Sequence, residues 1–228
     1  MVSIITCTIR EEYMENVFEN FRRQQWETKE LIIILNRDNM DINKWREKAE
    51  SYSNVSVYQL PENTSLGECL NYGINLAAHP YISKFDDDDY YSPHYLKQQL
   101  HALEETGAAV VGKSTSFIYF EGSNSLNLFY PGFEDKYVTF IRGATLTFRK
   151  KLWEECRFMN VNSGEDTRFL NYCLNKGYRI YATDRYNFVN NRRADVNSHT
   201  ITNTSNYVYH STEVCKTDDY TSLVTKSS

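Results

Sequence analysis

The chain has 228 residues, 25 of them basic and 30 acidic, with a net charge of −5, a hydrophobic fraction of 41% and 18 tyrosines. That length and apolar content suit one large domain with its own core, and the charge leaves no basic stripe for nucleic acid. No stretch approaches the roughly 18 apolar residues of a membrane span, and five scattered cysteines (Cys7, Cys69, Cys156, Cys173, Cys215), none in a CxxC pair, read as reduced core thiols.

The N-terminus enters an apolar run at once, with no basic leader, which together with the reduced thiols predicts a cytoplasmic protein. Val2 to Thr8 is nearly continuous in apolar and β-branched residues, as a buried parallel strand is. Residues 10–25 follow with helical spacing: Tyr13, Val17, Phe18 and Phe21 share one stripe, Glu11 and Glu12 suit the first turn, and Arg22 and Arg23 suit the last. Lys29 to Leu35 is a second strand, so a βαβ unit is complete within 35 residues. A short helix over 41–52, a strand over 56–60 ended by Pro61, and a helix over 66–78 come next. Gly67, near the start of that helix, allows a ligand's close approach to the backbone.

The most informative stretch is Tyr81-Ile82-Ser83-Lys84-Phe85-Asp86-Asp87-Asp88-Asp89-Tyr90-Tyr91-Ser92-Pro93. A short buried strand runs into four consecutive carboxylates, and Ser92-Pro93 opens a helix over 94–106. Four adjacent like charges repel, so they must face solvent or a cation. The pattern to this point is β-α-β-α-β-α-β-α, an α/β fold with a mainly parallel central sheet flanked by helices. Such sheets bind ligands beyond the carboxyl ends of their strands, and residues 6–10, 36–38 and 86–89 all fall there.

Beyond residue 108 the elements shorten. Strands are predicted over 109–112, 114–120, 144–148 and 179–183, with an edge strand over 186–192. Residues 121–136 form a loop or hairpin, 150–155 a helical turn, and 166–176 a helix capped by Gly177. Phe117, Tyr119, Phe120, Phe129 and Tyr130 divide between core packing and a cleft. Residues 195–228 are rich in Thr, Ser and Asn and form a polar tail that is loosely ordered, becomes ordered on partners or substrate, or closes over the active site. This organisation gives one domain over 1–194, with halves 1–108 and 109–194, followed by the tail.

Asp86 and Asp88 form a DxD at a strand end, and hard oxygen ligands of this kind suit Mg²⁺ or Mn²⁺ with a diphosphate. Lys84 is costly inside a central strand unless it reaches phosphate, pairs with the aspartates or emerges at the surface. Asp87 and Asp89 serve the turn or the next helix.

Together residues 2–10, 26–39, 66–85, 86–93 and the Glu165-Asp166 pair resemble a family 2 glycosyltransferase of the nucleotide-diphospho-sugar transferase fold, GT-A, over about residues 2–193. The resemblance implies a metal-dependent, inverting transfer of a sugar from a nucleotide-diphospho-sugar, UDP-linked by family default, to an acceptor hydroxyl. The acceptor would be a surface polysaccharide, a lipid-linked glycan or a protein, and peripheral membrane association through a partner stays open.

The same resemblance assigns residues. Thr6 and Thr8 border the base, with Arg10 beside them. Asn36, or alternatively Asp38, contacts the base where the family carries an aspartate. Lys84, Asp86, Asp87, Arg192 and Arg193 face the donor, and Asp88, Asp86 and His199 hold Mn²⁺ or Mg²⁺. Asp166 is the catalytic base and Glu165 orients it or the acceptor; the competing role for Asp166 is a helix N-cap. Many members have an arginine where this chain has Leu70. A nucleotidyltransferase of similar fold would want a Gly-rich basic loop after the first strand, which Thr8-Ile9-Arg10-Glu11 does not supply. A non-catalytic carbohydrate-binding protein would have no need of the intact acidic groups.

Overall fold

A computed structural model describes residues 1–195 and 204–227. The first half alternates as its hydrophobic periods predict: β1 (Val2–Thr8), α1 (Met14–Arg23), β2 (Lys29–Leu35), α2 (Ile42–Ala49), β3 (Val55–Gln59), α3 (Leu66–Leu76) and β4 (Tyr81–Lys84). After the acidic run come β5 (Tyr90–Tyr91), α4 (Tyr95–Thr106), β6 (Val110–Gly112), β7 (Ser116–Phe120), β8 (Ser125–Phe129), β9 (Lys136–Val138) and β10 (Thr147–Arg149). The rest is α5 (Lys150–Glu155), α6 (Glu165–Asn175), β11 (Ile180–Ala182), β12 (Phe188–Arg192), α7 (Thr204–Tyr209), β13 (Ser211–Lys216) and α8 (Thr221–Val224).

Two sheets result. The larger has eight strands in the order β3-β2-β1-β4-β10-β6-β11-β9. Its β3-β2-β1-β4 half is parallel throughout, whereas β10 and β9 join antiparallel to their neighbours. Apolar side chains leave this sheet on both faces. Val2, Ile4, Leu31 and Ile33 pack with α1, α2 and α4, while Ile5, Ile32, Ile34 and Ile82 pack with α3, α5 and α6. Each fully buried aliphatic side chain contributes about 2 kcal/mol, which explains why the strands read as unbroken apolar runs.

The second sheet has the order β13-β8-β7-β12-β5, and here three expectations change. Residues 188–192 are not an edge strand: β12 lies between β7 and β5. The described part of the tail is not loose, because β13 pairs with β8, the Tyr220 ring packs edge-on to Tyr90 and tilted against Tyr119, and Val224 is fully buried. Two well-placed apolar groups and a ladder of backbone bonds suffice where composition shows no period. Residues 143–145 are a 3₁₀ turn rather than strand, held by the Thr145 hydroxyl donating to the Arg142 carbonyl.

No helix among the described residues is long and apolar enough to cross a membrane. All five cysteines are free thiols.

The close approach at Gly67 serves the protein's own backbone. A Cβ there would lie 1.8 Å from the Met159 carbonyl oxygen. Asn71, one turn further along α3, donates to Phe158 O at 2.8 Å and accepts from Trp153 Nε1 at 2.7 Å. These contacts seat the 156–164 loop, which delivers Glu165 and Asp166, on α3. Gly67→Ala is therefore expected to lower stability by about 2 kcal/mol despite its better helix propensity, read as a lower urea midpoint with an unchanged m-value.

Candidate active site

Parallel pairing brings the carboxyl ends of β1, β2 and β4 side by side: Thr8 is level with Leu35, and Ile5 with Lys84. From β4 the chain runs through residues 86–89 and then leaves the large sheet, because β5 pairs with β12 of the small one. The four carboxylates thus occupy the junction between the sheets. Helix α1 fixes their backbone: Asn16 Nδ2 donates to the carbonyls of Asp87 and Asp89 at 2.7 and 2.9 Å, and Asn20 Nδ2 to Asp89 at 2.8 Å. From behind, Phe85 stacks on Tyr91 at 3.8 Å, and the Tyr91 hydroxyl bridges Asp86 N and Ala144 O.

The turn over residues 87–89 divides the run by burial. Asp87 and Asp89 turn inward. Asp87 accepts from the Thr8 hydroxyl and from the Arg10 guanidinium. Burial nevertheless pushes its carboxyl up to about 6, the arginine opposing that rise. Asp89 accepts from Asn190 Nδ2 at 2.8 Å and Asn191 N at 3.0 Å, and burial raises it too. Asp86 and Asp88 face outward, with side chains 37% and 14% exposed. Asp88 pairs with Arg10 at 3.0 Å and Arg193 at 2.8 Å, and both guanidiniums lie over the Tyr13 ring.

Lys84 pairs with Asp86 and is buried. Beyond Asp86 its ammonium also senses Glu165 and Asp166, all of which hold its proton more tightly against the cost of burial. It therefore links the outward carboxylates to the acidic pair at the start of α6. Within that pair the roles diverge. Glu165 is buried, and desolvation raises its carboxyl to about 7. Asp166 is only half-buried; its Oδ1 accepts from Thr167 N at 2.6 Å, and its Oδ2 lies against Gly143, where a Cβ would come within 1.8 Å. Gly164 is the N-cap, so Asp166 stands inside the helix and is not the cap.

The folded protein holds the Glu165 proton more tightly than the unfolded chain does. The resulting stability is fully present below the ordinary value of 4.5 and is lost as pH rises through about 7. Lys84, Asp166 and Asp86 face the same carboxyl. Glu165→Gln is accordingly expected to gain in Tm relative to wild type between pH 5 and about pH 7.5. Melting curves across that range check it, and a constant difference would contradict it.

The other sequence-predicted residues are more enclosed than expected. Thr6 is buried in mid-strand, and Thr8 is committed to Asp87. Asn36 Nδ2 donates to Pro61 O at 2.8 Å, and Asp38 Oδ1 accepts from Glu62 N at 3.1 Å, so both brace the loop after β3. Arg192 is buried beneath the Tyr207 ring at 4.5 Å, whereas Arg193 reaches the acidic run. His199 lies outside the described residues. Leu70 is packed in the core, and Phe117, Tyr119 and Phe129 are buried in the small sheet. Sequence reasoning missed Gly143, Arg142 and the asparagines. Only Asn16 and Asn20, one helical turn apart on α1, left a signal.

Among the described residues no three carboxylate, histidine or cysteine side chains gather as a metal cage. Two outward carboxylates on one turn still fit a hard divalent cation that takes its remaining oxygens from phosphate and water, the usual mode for Mg²⁺.

The family model described as "Glycosyl transferase family 2" matches residues 3–185. The comparison with curated proteins finds no match. Among solved structures, S. aureus TarS 1-349 in complex with UDP-GlcNAc is 19% identical with a TM-score of 0.66, over 88% of this chain and 61% of that one. The same protein in complex with UDP gives 19% and 0.64, over 84% and 60%. The mannosyltransferase PcManGT from Pyrobaculum calidifontis, in complex with GDP-Man and Mn²⁺, gives 14% and 0.63, over 84% and 56%. The likeness is one of GT-A fold, and the chain spans about 60% of the length of the TarS structure it matches.

Proposed function

The chain belongs to glycosyl transferase family 2, and from that premise we propose that it transfers a sugar from a nucleotide-diphospho-sugar to an acceptor hydroxyl with inversion. The observation that supports this reading is the division of labour at the sheet junction. Asp86 and Asp88 are turned outward at the strand ends, and the Lys84 ammonium that pairs with Asp86 is also within electrostatic reach of Asp166.

In this reading Asp88, with Asp86 beside it, holds Mn²⁺ or Mg²⁺, and His199 is a further ligand. When bound, the cation neutralises the leaving nucleotide diphosphate. Arg10 and Arg193, already at Asp88, add positive charge on that side. Arg192 lies on the same side, and Thr6, Thr8, Asn36 and Asp38 flank the nucleotide end. Asp87 positions Arg10 rather than touching the donor. Asp166 takes the proton of the acceptor hydroxyl as it attacks the anomeric carbon, and the nucleotide diphosphate leaves from the opposite face. Glu165 and Lys84 orient that base. UDP-GlcNAc and GDP-Man are bound by structures of the same fold, and a UDP-sugar is the donor to try first. The acceptor is a polysaccharide, lipid-linked glycan or protein, and the setting is cytoplasmic.

Thermal unfolding with a panel of nucleotide sugars, with and without Mn²⁺, tests the reading. A UDP-sugar is expected to raise Tm, more so with Mn²⁺, and Asp88→Ala to lose the Mn²⁺ increment. Absence of stabilisation by every nucleotide sugar would falsify the donor assignment.

A further inference from the structure

Arg142 is a buried cation that the reaction above does not use. It is 8% exposed, and among the described residues its Nε and Nη2 have no hydrogen-bond acceptor. Those two atoms form one edge of the guanidinium, the fork that meets a phosphate or carboxylate with two parallel hydrogen bonds. The backbone around it is firmly set: Arg142 N donates to Lys113 O at 2.8 Å, and Arg142 O accepts from Thr145 N at 2.9 Å. The guanidinium stacks on Phe129 at 4.2 Å, and the Tyr207 ring of α7 lies 5.7 Å away. The same ring covers Arg192 at 4.5 Å.

Burying a fork with no acceptor costs about 1–3 kcal/mol, which packing on Phe129 alone does not require, since an apolar side chain would stack there without that cost. Arg192, which shares the Tyr207 cover, also lines a cavity of about 330 Å³ with Ser125, Asn127, Lys216 and Val208. An approach from solvent thus lies beside the residue next to Tyr207. On the other side, the residue after Arg142 is Gly143, against which the Asp166 carboxylate rests.

We propose that Arg142 and Arg192 form a subsite for a phosphate-class oxyanion carried by a substrate, with the Tyr207 side chain occupying its place in this structure. The subsite rests on the glycosyl-transfer reading for its two sources, the donor's diphosphate or an anionic group on the acceptor. Binding displaces the tyrosine ring and engages the open Arg142 fork.

Inorganic phosphate titrated against the full chain by calorimetry, with sodium chloride at equal ionic strength as control, is the probe. Wild type is expected to bind phosphate, and Arg142→Gln and Arg142→Lys each to weaken it about tenfold. Tyr207→Ala, which uncovers the site, is expected to strengthen it. Arg142→Lys keeps the charge without the fork, so it carries the test should the glutamine variant fail to fold. Competition between phosphate and UDP identifies the donor's diphosphate as the source, and undiminished phosphate binding to UDP-saturated protein identifies the acceptor. No phosphate binding by wild type, equal binding by Arg142→Lys, or weaker binding by Tyr207→Ala overturns the subsite. None of these readings needs a nucleotide sugar, so failure of the transfer assignment shows separately, in the thermal unfolding panel.

Discussion

Asp166→Asn is expected to lower the transfer rate by about 10²- to 10⁴-fold while leaving donor binding and Tm close to wild type. The amide keeps the size of the carboxylate and can still accept from Thr167 N and rest on Gly143, but it cannot take a proton. The alternative base, Glu165, is raised to about 7, a favourable value for the task. It is buried, however, and a base must reach the acceptor hydroxyl. Glu165→Gln is accordingly expected to cost much less than Asp166→Asn. Transfer rates for the two variants beside calorimetric donor affinities decide between them, and the reverse order would move the base to Glu165. Gly143→Ala should reproduce part of the Asp166→Asn loss, because its methyl group would stand 1.8 Å from Oδ2.

Lys84→Met is expected to cost about 3 kcal/mol at pH 8 and distinctly less at pH 5.5. The lysine side chain is 8% exposed and is the cation shared by Asp86, Glu165 and Asp166. Removing it leaves three carboxylates facing one another across a partly dry gap. Lys84 lowers the Glu165 carboxyl against the larger effect of burial, so without it that carboxyl rises above about 7. Protonation then relieves the repulsion as pH falls, and the stability deficit shrinks with it. Urea unfolding at the two pH values reads this directly; a deficit independent of pH would make Lys84 a packing residue only. The acid limb of the transfer rate is expected to move upward in the same variant, since Glu165 adjoins the base.

The acidic run shows why some of the site was legible and some was not. Its place at a strand's carboxyl end follows from the apolar stretch before it, and the DxD spacing singles out Asp86 and Asp88, whereas the burial of Asp87 and Asp89 is set by the turn that carries them. What holds the inward pair is not local. Thr8 comes from β1 and Arg10 from the loop after it, Asn16 and Asn20 from α1, and Asn190 and Asn191 from β12. Lys84 was conspicuous as a charge in a central strand, yet its link to Glu165 depends on α6 packing on that face of the sheet. Arg142 carried no sequence signal at all. It is one arginine in a short turn, and its fork became notable only once Phe129 and Tyr207 had closed over it.

The sequence by itself determined the parallel half of the large sheet, the helices that cover it, the strand-end position of the carboxylates and the family. Those features rest on local periods, 2 for strands and 3.6 for helices, and on motifs contiguous in the chain. Tertiary structure alone decided that residues 188–192 lie inside a second sheet, that the polar tail supplies β13 and a buried Val224, and that Asp166 rests on Gly143. These depend on backbone ladders and close approaches between distant segments. Backbone hydrogen bonds are indifferent to side-chain pattern, and a missing Cβ is informative only beside the atom that fills its space.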